Sequence, residues 1–442
     1  MHLSPSLIAA VLRGELPREF LEEIEHEHLG TLCPLCARGL ALLADGSAAA
    51  LGRELRPTGD PVEAVRRRLG WSERQLRDEE ADAREWLKRL LRKVPSNKRC
   101  GTIREAHKRY RGVLFGTLLL EEARRAIPAD PAESLSLAEA AVVSCEITHP
   151  SEPHPLVHVP ALAVRGNAKR ALGRIPEAEA DLKEAVELLA RSDLDDLAIA
   201  AEIDLCLGAL RKDQSRLEEA ARHLERAGAL YRVLGDRNKR LRVLLLLGIV
   251  HHRSHRLDAA IASMEQLVEL VEAGSEDWLR AYACYNLAFF LHGRGDTDRA
   301  EQELAAHEEL IAAAGEGLVF RTGWLRARIA WSRHELGKAE RLFRETYRWA
   351  GRRGIPFDTG LVALELALVQ LVRGRTAQVH KLAFEALDIF AEQDVERETQ
   401  AALELLEAAA RRDVLTRELV ERAVAALERA RQVRPAPGRE PA

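Results

Sequence analysis

Aromatic residues make up only 5% of this 442-residue chain, and cysteines number six. They stand at 33, 36, 100, 145, 206 and 284, and only the first two are close neighbours, which excludes a disulfide framework and reads as reduced thiols. Long apolar stretches are missing: Val243 to Val250 and Val113 to Leu120 are the longest, far short of the roughly 20 residues a membrane helix needs. The start, MHLSPSLIAAVLRGELPREF, lacks a basic segment followed by an apolar one. These absences give the expectation of a cytoplasmic protein with no membrane partner. No sign of charge dominates either. Lys plus Arg total 66 against 70 Asp plus Glu, a net charge of −4, so any nucleic-acid case must rest on a local patch. Catalytic signatures are also lacking. H-E-x-x-H, G-x-S-x-G, G-x-x-x-x-G-K and G-x-G-x-x-G do not occur in a suitable context, no buried carboxylate pair stands out, and no enzyme is expected.

What is present is helix-forming. Ala, Leu, Glu and Arg dominate, β-branched runs are rare, and a 47% hydrophobic fraction can fill a sizeable core. A small residue recurs at Gly166, Gly208, Gly248, Ala288, Ala327 and Ala367, in steps of 42, 40, 40, 39 and 40 residues. Twelve residues after each comes Ala178, Ala220, Ala260, Ala300, Ala339 or Val379. A turn-like residue sits seven after each: Gly173, Ser215, His255, Gly295, His334, Gly374. Such a pattern predicts a helix hairpin whose two members approach closely where the small residue of helix A meets the alanine of helix B. Leu182, Leu224, Met264, Leu304 and Phe343, one turn past each alanine, are expected to pack between neighbouring hairpins. A single hairpin cannot bury both faces, so the hairpins must stack into a solenoid.

The stretch Leu162 to Ala185, LAVRGNAKRALGRIPEAEADLKEA, resembles the tetratricopeptide repeat family in its small residue, glycine turn, E-A opening of helix B and later alanine. The resemblance implies an all-α, right-handed α-α superhelix, here of long units near 40 residues that lack the proline usually closing helix B. Six firm repeats are read, flanked by weaker ones at 114 to 150 and 395 to 431. Such long units resemble those of bacterial regulators and signalling scaffolds. Family geometry turns one face of each helix A toward a groove, which would hold Asn167, Arg170, Lys212, His252, Arg253, Tyr282, Tyr285, Phe289, His292, Arg321, Trp324, Arg328 and Trp331. Aromatic and cationic, that face suits a protein or peptide partner with acidic groups; the alternative is that several of its aromatics only fill space between helices. A chaperone-tail clamp is not expected, because Ala163 occupies its lysine position beside Asn167.

In the first 40 residues, His28-x4-Cys33-x2-Cys36 places two thiolates in a C-P-x-C turn after a histidine, a pattern able to hold one structural zinc. The segment Gly14 to Leu40 resembles the zinc-binding fold of anti-sigma factors, which normally has three residues between His and Cys where this chain has four. That resemblance implies a fourth ligand from the first helix, near His2; His26 is an alternative on a different helix face. The competing reading keeps both cysteines as small buried apolar residues. Next, Arg84 to Arg111 holds eleven Lys or Arg against two Glu, with Lys88, Arg89, Arg92 and Lys93 along one helix stripe. Upstream, AVRRRLGWSERQLRDEEADA is faintly like a helix-turn-helix, but Asp78, Glu79, Glu80 and Asp82 would repel phosphate, so solvated surface is preferred to nucleic acid. His251, His252 and His255, at the end of a helix A and its turn, are assigned to packing and groove roles rather than to metal.

The organisation expected is a helical zinc-finger-like module at 1–52, a basic helical connector at 53–112, the solenoid at 113–432 and a disordered tail at 433–442. The function expected is that of a non-enzymatic scaffold or regulatory adaptor. An anti-sigma-like regulator whose first module binds a sigma factor is the alternative.

Overall fold

The computed structural model describes residues 73–105, 113–127, 130–148, 154–192, 196–271, 277–391, 400, 403–404, 406–407 and 416–433. Among them every regular element is helical. Helix α1 (Glu73–Lys93) leads through a 3-10 turn into α2 (Arg99–Glu105). Hairpins then follow in order: α3 (Val113–Ala126) with α4 (Pro131–Thr148), α5 (Pro155–Ala171) with α6 (Ile175–Arg191), and α7 (Leu197–Asp213) with α8 (Leu217–Leu234). After them come α9 (Arg237–Arg253), α10 (Leu257–Leu270), α11 (Asp277–Arg294), α12 (Thr297–Ala306), α13 (Glu308–Ala313), α14 (Glu316–Ser332), α15 (Leu336–Arg353), α16 (Pro356–Val372) and α17 (Thr376–Ala391). The last described helix is α18 (Arg417–Val433). None of the described helices is long and apolar enough to cross a membrane. The residues form two compact units that part between Val250 and His251.

The first unit shows why a small residue recurs. A Cβ placed on Gly208 would stand 2.6 Å from Leu224 Cγ and 3.3 Å from the Ala220 carbonyl oxygen. At Gly166 the same atom would lie 3.0 Å from Leu182 Cγ and 3.2 Å from the Ala178 oxygen. Helix A therefore rests directly on the backbone of helix B, as the twelve-residue offset requires. Leu182 and Leu224, expected between hairpins, reach the glycine of their own hairpin. The reason is geometric: one turn past the alanine, a long side chain still points back along helix B into the crossing.

All six predicted turn residues adopt the left-handed conformation, with φ of 75° at Gly173, 60° at Ser215, 58° at His255, 98° at Gly295, 59° at His334 and 70° at Gly374. At each, its N–H bonds to the carbonyl three residues back and the next N–H to the carbonyl five back, at 2.8 to 3.1 Å. These paired bonds satisfy carbonyls that helix A leaves open and turn the chain within two residues.

Ion pairs recur between successive hairpins in a register the sequence reading did not anticipate. An acid from the first five residues of helix B meets an arginine from the end of the next helix A: Glu179 with Arg211 and Glu340 with Arg373, both at 2.6 Å, Asp298 with Arg333 at 2.6 Å, and Asp258 with Arg294 at 2.8 Å. Asp258 and Asp298 sit in the first turn of their helices and each arginine near a C-terminus, where the backbone dipole favours that sign.

Two packing features bear on the organisation. Before residue 113, Ala83, Leu87, Leu90 and Ile103 lie in one apolar core with Leu114, Leu119 and Ala138. In the second unit α18 does not extend the stack. It packs on α16, a helix A, and places Val420, Ala423, Val424 and Leu427 in the core that holds Trp324, Leu361 and Leu364.

Candidate binding face

In the first unit the structure brings Asn167, Arg170 and Lys212 together. Arg170 donates to Asn167 Oδ1 at 2.9 Å and to Asp213 at 2.5 Å, and Lys212 Nζ lies 2.9 Å from the same carboxylate. Burial works to raise the Asp213 carboxyl, but the two cations hold it below its usual range. Ala163 is wholly buried, so its position could not present a cation to a ligand.

In the second unit the aromatics of α9 and α11 form two groups of ring contacts. His252 stacks on Phe290 with ring centroids 4.7 Å apart and lies 5.2 Å from Phe289, whose ring stacks on Tyr285 at 6.2 Å. Trp278, not singled out in the sequence, meets Tyr282 edge-on at 6.4 Å. Tyr282, Tyr285 and Phe289 are half-buried and keep an outer edge in solvent, as do Arg253 and Arg321. Burial, joined by the charge of His255, lowers the His252 imidazole, and burial beside Arg328 lowers His292. Both rings are thus poised to remain neutral.

Trp324 departs from the expected groove. It is 3% exposed, and its indole Nε1 donates to Glu365 at 2.5 Å. A tryptophan at this helix-A position can hide because the carboxylate of α16 accepts its one polar group. Nor is Arg328 an open cation. It stacks 4.8 Å from the Trp324 ring, donates to Glu365 at 2.6 and 3.2 Å, and reaches Glu428 of α18 at 2.5 Å. Burial, with Glu428 alongside, pushes the Glu365 carboxyl above its ordinary value although Arg328 opposes this. Arg417, also of α18, covers Trp331 at 5.5 Å. A cavity of about 250 Å3 remains beside this cluster, lined by His292, Arg328, Trp331, Glu365 and Glu428 among others. The face is aromatic as expected, but its central cation is already shared between two carboxylates. That could not be read along one helix A, since Glu365 comes from the next helix A and Glu428 from α18.

Among the described residues no group of three His, Cys, Asp or Glu side chains could hold a metal ion. His251 is buried, His252 is stacked and His255 forms the turn. The zinc candidates His2, His28, Cys33 and Cys36 lie outside the described residues. The stripe of Lys88, Arg89, Arg92 and Lys93 is solvent-exposed on α1, where Arg89 is paired with Glu85 and Arg84 with Glu80.

A family model of the tetratricopeptide repeat matches residues 199–273. No curated protein matches the chain. Among solved structures, similarity extends to a signal transduction ATPase with numerous domains bearing a tetratricopeptide repeat sensor, from Pyrococcus horikoshii. It is 15% identical with a TM-score of 0.51, over 84% of this chain and 53% of that one. A Rap protein complexed with competence and sporulation factor is 13% identical with a TM-score of 0.45, over 79% of this chain and 99% of that one. With the small-residue crossings and left-handed turns in place, the described chain is an all-helical stack of hairpins, in which residues 199–273 match the tetratricopeptide repeat.

Proposed function

We propose that this protein is a non-enzymatic adaptor or regulator that binds a protein or peptide through the helix-A faces of its repeats. The observation that carries this reading is the half-buried aromatic row on α11, where Tyr285 stacks on Phe289 and Tyr282 meets Trp278 edge-on. Rigid, partly exposed aromatic rings bury large area on association at little entropic cost. Affinity capture with the full chain and with a Tyr282→Ala/Tyr285→Ala variant tests it. The variant should lose the captured partner while keeping its helical circular dichroism; an unchanged partner set would overturn the reading.

The pattern His28-x4-Cys33-x2-Cys36 supports a second role, a zinc-stabilised amino-terminal module docking another protein, with a sigma factor as the partner that the anti-sigma resemblance suggests. One equivalent of zinc in the full chain, lost in Cys33→Ser/Cys36→Ser, is the expected result, and a metal-free wild-type chain would remove the idea.

A further inference from the structure

Helix α18 sits where a bound helix would sit. Val420, Ala423, Val424 and Leu427 follow the i, i+3, i+4, i+7 spacing of one helical face, and all four are buried. They enter the same apolar core as Trp324, Ala327, Leu361, Leu364 and Leu368, residues of α14 and α16. A regular next hairpin would stack at the end of the series and would not reach two helices A further back. Yet α18 touches Arg328 and Trp331 on α14, and with His292 of α11 it closes one cavity.

The polar contacts have the character of a latch more than of a core. Glu428 keeps 37% of its side chain exposed while it grips Arg328, and Arg328 is already held in two-point fashion by Glu365. One guanidinium thus serves two carboxylates. Docking of α18 brings a second negative charge to a site that α14 and α16 have neutralised between themselves, so the polar contact adds less than its short distance suggests. Twenty-five residues separate the end of α17 from the start of α18, and Leu403 and Leu406 among them are buried in the same core.

We propose that α18 is an internal occupant of the helix-A face of the second unit, and that the partner of this face is an amphipathic helix which replaces it. That helix would carry small or branched apolar residues at i, i+3, i+4 and i+7 and a carboxylate that reaches Arg328. The inference rests on the binding role proposed above and deepens it.

A fluorescein-labelled peptide of residues 417–433 is the probe. In fluorescence anisotropy it should bind a full chain carrying Leu427→Asp, whose own helix is undocked, at least tenfold more tightly than the wild-type chain. The same peptide with Glu428→Lys should bind that variant at least tenfold more weakly than the unmodified peptide. Equal binding to both chains, or indifference to Glu428→Lys, would overturn the proposal. Since Leu427→Asp could unfold the unit, hydrogen exchange on the wild-type chain gives an independent measurement. Saturating peptide should speed exchange in 417–433 and leave Leu361–Val369 protected, and unchanged protection of 417–433 would sink the idea. If the peptide fails while Tyr282→Ala/Tyr285→Ala still loses its partner, only this inference falls; if that double variant captures the same partners, the binding role falls with it.

Discussion

Leu224 leaves room for a hydrogen atom at Gly208 and little else. Adding one methyl group would bring carbon to 2.6 and 2.8 Å from its side chain, and the Ala220 carbonyl behind it cannot retreat without moving helix B. Gly208→Ala is therefore expected to destabilise the first unit by about 1 to 3 kcal/mol, read as a lower midpoint in urea. His334 gives the opposite case. It holds φ of 59° on an exposed turn, where a side chain costs roughly 1 kcal/mol relative to glycine. His334→Gly should raise the thermal midpoint by a few degrees, and no gain in calorimetry would show that a contact of the imidazole offsets the backbone strain.

At the level of the helices, three histidines of the second unit respond alike to acid. His251 on α9, His252 beside it and His292 on α11 all have imidazoles lowered chiefly by burial. Below about pH 6.5 the unfolded chain takes up protons that the folded one resists, so their stabilising contribution is full above that value and declines as pH falls. Glu365 acts in the other direction, because its raised carboxyl accepts a proton more readily folded than unfolded. The thermal midpoint should fall between pH 7.5 and 5.5, and His252→Gln/His292→Gln should flatten that slope. An unchanged slope in the double variant would assign it elsewhere. The hairpins themselves were legible in the sequence because both constraints on them are local. A close crossing demands a small residue, a left-handed turn demands a fixed position after it, and each leaves a mark at constant spacing. The face was legible only in part. Tyr285, Phe289 and His252 could be placed by counting along helix A, but whether Trp324 and Arg328 were open depended on Glu365 and Glu428. Glu365 lies one repeat beyond Trp324, and Glu428 lies 100 residues beyond Arg328 in a helix outside the periodic series.

For the molecule as a whole, the last described helix matters more to function than its place at the end of the series suggests. Exposed helix-A surface in the second unit is partly covered by the chain's own α18, so accessibility there depends on how often α18 leaves. A partner has to compete with a tethered helix at high local concentration, which sets a threshold for its affinity. The shared left-handed turn has a different consequence, for how the protein can be lengthened. Gly295 and His334 end their helices with the same pair of hydrogen bonds, and the residues that follow resume helix B at the same offset. Residues 296–334 are thus an interchangeable cassette with matching ends. A tandem copy inserted after His334 should join without a new backbone conformation, keeping helicity per residue and cooperative unfolding. The same insertion displaced by two residues would put a left-handed position where the chain must be helical, and it should cost the protein both.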